Sequence, residues 1–379
     1  MQIENAKGTL MNLLQTVQDQ AARQADFLAP TKDLQFNSGK DSDGNSRSEI
    51  ILERNAGMPT TFLDVNPVAF DQIASNAGIE VRTARRLRDG YAPEFDALIN
   101  QIWQKESKTR MVRAHLDTNT QTAGTARAFV SDKFKTFDNH HLLNAALPQL
   151  MESPAQWQIV NAHVTDQRMN LRLKSSAITG EGAAVGDLMA LGIGLGNSET
   201  GCGSVSVFQI FWTLACLNGM QTQNKSRSSH ITSARGDGDT WSILTDEAKD
   251  ADNHALELKV RDTVTAYASR ESFDDVLAKM RAAGADQLGE GATYQSAADN
   301  LGRVLKLTKK ETASVLDGLI ETLQQDGYRG QPVSRATMVN AVTAAAHNAE
   351  PDSINDWQER GGRVLDLKPT EWAIVAQAA

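Results

Sequence analysis

The sequence predicts an α+β fold: a mixed or antiparallel sheet with a β-hairpin and flanking helices, followed by a helical C-terminal portion. Three observations lead there. Short runs of alternating apolar and polar residues concentrate between positions 110 and 195, whereas apolar residues recur at helical spacing from 246 onward. Between two of the alternating runs, Thr165-Asp166-Gln167 has the composition of a tight turn. No repeat of solenoid length interrupts this order. The chain therefore divides into an N-terminal helix with a polar arm (1–60), an α+β core (61–245) and a mainly helical region (246–379).

Taken in order, residues 1–27 alternate at helical spacing, and 31–48 are polar and rich in Gly, Asp and Ser, the composition of a surface loop or arm. Asn66-Pro67 is a helix start, since Pro is tolerated at the first helical position, and 67–76 and 80–88 read as two short helices parted at Gly78. A third helix covers 93–105. Extended character follows at 110–116, 126–131, 157–164 and 168–174, with a helix over 139–151. On 168–174, Met169, Leu171 and Leu173 share one face, and Arg168, Arg172 and Lys174 share the other. Residues 188–195 form an apolar strand, 222–239 a polar loop, and 246–269, 272–283, 294–305, 308–325 and 334–348 helices.

The chain of 379 residues holds 38 Lys and Arg against 47 Asp and Glu, a net charge of −9. That excludes a uniformly basic nucleic-acid coat, but the charge is uneven. From Arg82 to Lys135, eleven cations meet six acids, and from Cys202 to Gly236, Lys225, Arg227 and Arg235 meet none. The compensating acid comes later, so one face can be basic on a soluble molecule. No run approaches the roughly 18 apolar residues of a membrane span, and the N-terminus lacks a signal-peptide layout, so a cytoplasmic protein without membrane contact is expected. Cys202 and Cys216, lacking a Cys-x-x-Cys pair, suggest two buried thiols and neither a disulfide framework nor a zinc ribbon.

Among local motifs, Gly196-Asn197-Ser198-Glu199-Thr200-Gly201 has the glycines of a phosphate loop. Cys202 and Gly203 stand where the lysine and hydroxyl would be needed, so a turn or bulge is the better reading. Gln72 to Ile79 followed by Val81, Thr83 and Arg85-Arg86-Leu87 has the cadence of a helix-turn-helix, which would put Arg82, Arg85, Arg86 and Arg88 on or beside a recognition helix. Asp132, Asp138, His140 and His141 form a polar cluster whose adjacent histidines point apart, as capping or surface residues would; His115 and His163 sit alone on strands. No motif calls for a metal or cofactor. Residues 127–139 interleave Arg127, Lys133 and Lys135 with Phe129, Phe134 and Phe137; the cations could meet phosphates while a ring stacks on a base, or the rings could be core.

Arg127-Ala128-Phe129-Val130-Ser131-Asp132-Lys133-Phe134 with Phe137-Asp138-Asn139, the stretch from Gly196 to Val207, Cys216-Leu217-Asn218-Gly219 and Met338-Val339-Asn340-Ala341-Val342-Thr343 resemble landmarks of the phage/plasmid-like family named domain of unknown function 932. The resemblance covers roughly 61–343, places Arg227 and His230 in a basic stretch, and implies a mobile-element setting but no reaction. The long acidic helical region beyond Asp246 departs from it.

These readings lead to a non-enzymatic DNA-binding protein that forms a homo-oligomer. It would bind or anneal single strands in recombination or replication through Arg127, Phe129, Lys133, Lys135, Arg168, Arg172, Lys174, Lys225 and Arg227. Two alternatives stand beside it: a helix-turn-helix regulator using Arg82, Arg85, Arg86 and Arg88, and a protein-binding or inhibitory factor that touches no nucleic acid.

Overall fold

The computed structural model describes residues 2–53, 59–120, 122–183, 187–213, 218–221, 229–230, 244–325, 327–349 and 353–378. Cys216, Lys225, Arg227 and most of the polar loop 222–239 lie outside them. The protein is α+β, with its strands in the N-terminal half and its C-terminal portion helical.

Helix α1 (Gln2–Arg23) runs straight into β1 (Gln24–Pro30), so the helix read as reaching 27 ends four residues earlier. The cause is a cross-strand partner: Asp26 lies opposite Arg113 in the antiparallel pairing of β1 with β5 (Thr109–Leu116). The supposed polar arm is likewise a hairpin, β2 (Leu34–Lys40) and β3 (Ser46–Leu52). Its turn is closed by Asp41, whose Oδ1 accepts from the Asp43 and Asn45 amides at 2.9 and 2.8 Å, while Gly44 takes φ +83°. With β4 (Thr61–Val65) and β6 (Ala123–Ser131) these strands make one six-stranded sheet, ordered β1-β5-β6-β4-β3-β2, in which only β4 and β6 run parallel. Residues 24–52 thus share a sheet with 61–131.

Between β4 and β5 run α2 (Pro67–Asn76), α3 (Val81–Gly90) and α4 (Ala92–Lys105). Their apolar stripes and the inward residues of the sheet bury Phe36, Phe70, Phe95, Trp103 and Phe129 together. Phe36 meets Phe95 edge-on at 5.8 Å, and Trp103 stacks on Phe129 at 5.5 Å. Each such ring withdrawn from water contributes roughly 1.5–3 kcal/mol.

The second sheet holds the predicted hairpin, β7 (Trp157–Val164) and β8 (Met169–Glu181), then β9 (Leu188–Asn197), β10 (Ser206–Thr213) and β11 (Asn218–Gln221), all antiparallel in the order β11-β10-β9-β8-β7, with β12 (Ser229–His230) also on β10. Gly192 and Gly194 on β9 lie beneath the rings of Trp212 and Phe208, where any Cβ would collide with them. Met169, Leu171 and Leu173 pack against α1, α5 (Asn139–Glu152) and α6 (Asp246–Tyr267). The other end of the sheet meets α7 (Arg270–Ala285), α8 (Tyr294–Leu305), α9 (Lys309–Gln324), α10 (Arg335–Ala344), α11 (Ile354–Leu365) and α12 (Pro369–Val375). The last two fall within the mainly helical region 246–379, although the sequence reading assigned no individual helix beyond 348. No helix among the described residues is long and apolar enough to cross a membrane.

Candidate nucleic-acid interface and the buried charge network

The two sheets meet across charged groups rather than oil. On the face of the first sheet opposite its aromatic core, Arg113 is 1% exposed; its Nε donates to Asp26 at 2.9 Å, Nη2 to Asp138 at 2.8 Å, and Nη1 to the Glu199 carbonyl at 2.8 Å. Arg127 reaches the same place because the register slips there: Arg113 pairs with Ala128 and Ala114 with Ala126, so Arg127 is the extra residue of a bulge. A bulge re-aims a side chain that strict alternation would have put beside Phe129. Arg127 donates to Glu199 Oε2 at 2.6 Å and to His115 Nε2 at 2.7 Å.

Glu199 also supplies what Asp138 withholds. Asp138 occupies the N-cap position of α5, yet its side chain makes no capping bond. Its carboxylate is committed to Arg113 and to Gln24 Nε2 at 2.7 Å. The free Asn139 amide donates instead to Glu199 Oε1 at 2.7 Å, which puts an anion at the positive end of the helix. Burial opposes ionisation of Asp138, but the Arg113 guanidinium outweighs it and holds the carboxyl below its ordinary range. Burial, reinforced by Arg127, Arg23 and Arg113, pushes His115 down to about 3, so it stays neutral and accepts the Arg127 bond.

The turn carrying Glu199 is stapled on both sides. Ser198 Oγ donates to the Gln167 carbonyl of the β7–β8 hairpin at 2.7 Å, and Gln72 of α2 donates to the Thr200 carbonyl at 2.7 Å while accepting from the Phe129 amide at 2.7 Å. Residues 196–203 thus form a turn that joins the sheets, with Gly201 at φ +78°. Cys202 is partly exposed, which corrects the reading of it as a buried thiol.

This architecture disposes of several residues proposed to grip a single strand. Arg127 is 8% exposed and Arg172 2%, each bonded internally, and Phe129 is 3% exposed and stacked in the core. None of the three lines a surface. Lys133 is exposed; Lys135 is half-buried and 3.4 Å from Asp252 of α6. Arg168 is half-buried and donates to the Cys202 carbonyl at 3.0 and 2.7 Å, and Lys174 is half-buried. The face of β8 that was to meet an anion is covered at Arg172 by Asn355 and Gln358 of α11.

The alternative set has a different fate. Asn66 caps α2 through its bond from the Ala69 amide, Gly78 takes φ +73° after it, and Glu80 caps α3 by accepting from the Arg82 and Thr83 amides at 3.1 and 2.7 Å. Ala84 and partly Leu87 face inward, leaving Arg82, Arg85 and Arg86 exposed. Asp71 holds Arg85 with two bonds of 2.7 Å. Arg88 pairs with Asp89 and lies 4.6 Å over the Phe70 ring, a packing role. Among the described residues, Arg82 and Arg86 meet no carboxylate.

The rings of His140 and His141 lie 4.1 Å apart at a tilt of 36°, and His141 Nδ1 lies 2.7 Å from Glu257. Among the described residues no group of three or more His, Cys, Asp or Glu side chains is placed to share a metal ion. Neither Arg113 nor Glu199 was singled out from the sequence; their partners lie 25 to 87 residues away, and the one local signal, adjacent small residues around Arg127, is weak. Comparison with protein-family models, curated proteins and solved structures returns no match.

Proposed function

We propose that the protein binds duplex DNA through α3, presented by the α2–α3 pair as in a helix-turn-helix. The observation that carries this is the exposure of Arg82, Arg85 and Arg86 on a helix whose start and inner face are fixed by Glu80, Gly78 and Ala84. Arg82 and Arg86 are four residues apart and so share one face, free to meet phosphates or the acceptor edge of guanine. The net charge of −9 disfavours DNA over the molecule as a whole, so affinity would be local to this patch and would respond to few residues.

One short helix covers few base pairs, and the proposal therefore includes a homo-oligomer that sets two copies of α3 on paired half-sites. The setting we infer, from the resemblance of residues 127–139 and 196–207 to the phage/plasmid-like family, is a mobile element in a bacterial cytoplasm. Single-strand annealing is the less favoured reading, because Phe129 is held in the core away from any base.

The test is the double variant Arg82→Ala with Arg86→Ala. Each lost phosphate contact should flatten the log–log salt dependence of duplex binding by about 0.9. The fold should remain intact, since both side chains are exposed. An unchanged slope in a folded double variant would remove α3 from the interface.

A further inference from the structure

Arg172 differs from the two other buried arginines of the sheets. Arg113 and Arg127 each meet a carboxylate, whereas Arg172, 2% exposed, meets none among the described residues. Its Nε donates to Gln358 Oε1 at 3.2 Å and its Nη2 to Asn355 Oδ1 at 2.5 Å, but Nη1 has no partner among the described residues. The described side chains that frame it include amides: Asn355 Nδ2 donates to Asn170 Oδ1 at 2.8 Å, and Asn170 Nδ2 lies 3.3 Å from His163 Nε2. Cations are kept out of water in folded proteins when a counter-charge accompanies them, and amide oxygens supply only dipoles. Burial accordingly lowers the Arg172 guanidinium to about 10.

We propose that Arg172 is the base of a buried oxyanion site, in which an oxygen of a phosphate- or carboxylate-class ligand accepts from Nη1 and supplies the missing charge. Asn355 and Gln358 hold the guanidinium plane so that the unused N–H groups are aimed at that oxygen. Gly194 lies opposite Arg172, and Gly196 opposite Asn170, in the β8–β9 register. The Phe208 ring covers Gly194 and the Ser206 hydroxyl lies over Gly196, so the ligand oxygen reaches the guanidinium at its Nη1 edge and not over these glycines. The site belongs to the second sheet, apart from α3, so its fate is independent of the duplex reading.

The experiment uses the full chain equilibrated overnight in chloride buffer, because the guanidinium is covered, and then titrated with inorganic phosphate, sulfate or acetate at constant ionic strength. Binding is read by calorimetry and by the melting midpoint. Phosphate and sulfate binding without acetate would identify a tetrahedral oxyanion, and acetate alone a carboxylate; either supports the site. Arg172→Gln should weaken binding about tenfold or more, the range of a charged hydrogen bond, while Lys174→Gln on the same strand should leave it unchanged. Asn355→Asp keeps the variant folded by providing the counter-charge internally, and should abolish anion binding while raising the midpoint in chloride. No response of the parent protein to any of the three anions beyond chloride would overturn the proposal. So would undiminished binding by folded Arg172→Gln or by Asn355→Asp.

Discussion

Glu199 does three things with one side chain and one carbonyl: it neutralises Arg127, caps α5 through the Asn139 amide, and receives Arg113 on its backbone oxygen. Removing a single partner from a buried ion pair leaves an uncompensated charge, and that loss is larger than the net worth of the pair. Glu199→Gln preserves the shape but not the charge, so denaturant unfolding should show a destabilisation of about 3–5 kcal/mol. A change below about 0.5 kcal/mol, the size of an ordinary surface substitution, would show that the network is not what joins the sheets. His115 adds a pH signature. Its folded value of about 3 lies below the ordinary 6.5, so its contribution is fully present above 6.5 and is lost as the pH falls from there toward about 3. Asp138, held below its ordinary range, works in the same direction at lower pH. His115→Gln keeps an acceptor for Arg127, and the fall in stability between pH 6.5 and 4 should become shallower; an unaltered pH profile would contradict the assignment of a buried neutral imidazole.

At the scale of elements, β9 depends on glycines that are contacts rather than gaps. A methyl at Gly194 would drive into the Phe208 ring, so Gly194→Ala should cost about 1–3 kcal/mol, the usual toll of overpacking. Gly39→Ala, with nothing within 4 Å, is the control and should be close to neutral in thermal unfolding. The helices were the most legible elements, because each advertises itself locally. Thr293, Thr308 and Ser334 accept from the backbone three residues on, and apolar residues such as Leu256, Val260 and Val264 recur every four. The hairpin turn at 165–168 was legible for the same reason. By contrast, β2 and β3 were masked by polar outward positions that resemble a loop, and their inward set of Leu34, Phe36, Ile50 and Leu52 is short. The start of β1 was hidden because the reason for leaving the helix, Arg113, is 87 residues away. The same distance effect hid the charge network: Arg127 and Arg172 read as exposed cations because alternation shows neither the bulge at Arg127 nor α11 over Arg172.

For the whole molecule, the turn at 196–203 ties α2 to the second sheet through Gln72 and Thr200, so the α2–α3 pair is part of a braced body and not a tethered appendage. A rigidly held helix loses little freedom on docking, which favours association through few contacts. With Arg85 held by Asp71, Arg82 and Arg86 let each α3 neutralise about two phosphates, and two copies on paired half-sites about four. The most direct measurement is the affinity of the parent protein for a duplex and for a single strand of the same sequence, followed by fluorescence anisotropy over a series of salt concentrations. The account predicts tighter binding to the duplex, with a log–log salt slope of about −3.6 for about four phosphate contacts. No duplex binding at low salt, or tighter binding to the single strand, would contradict it.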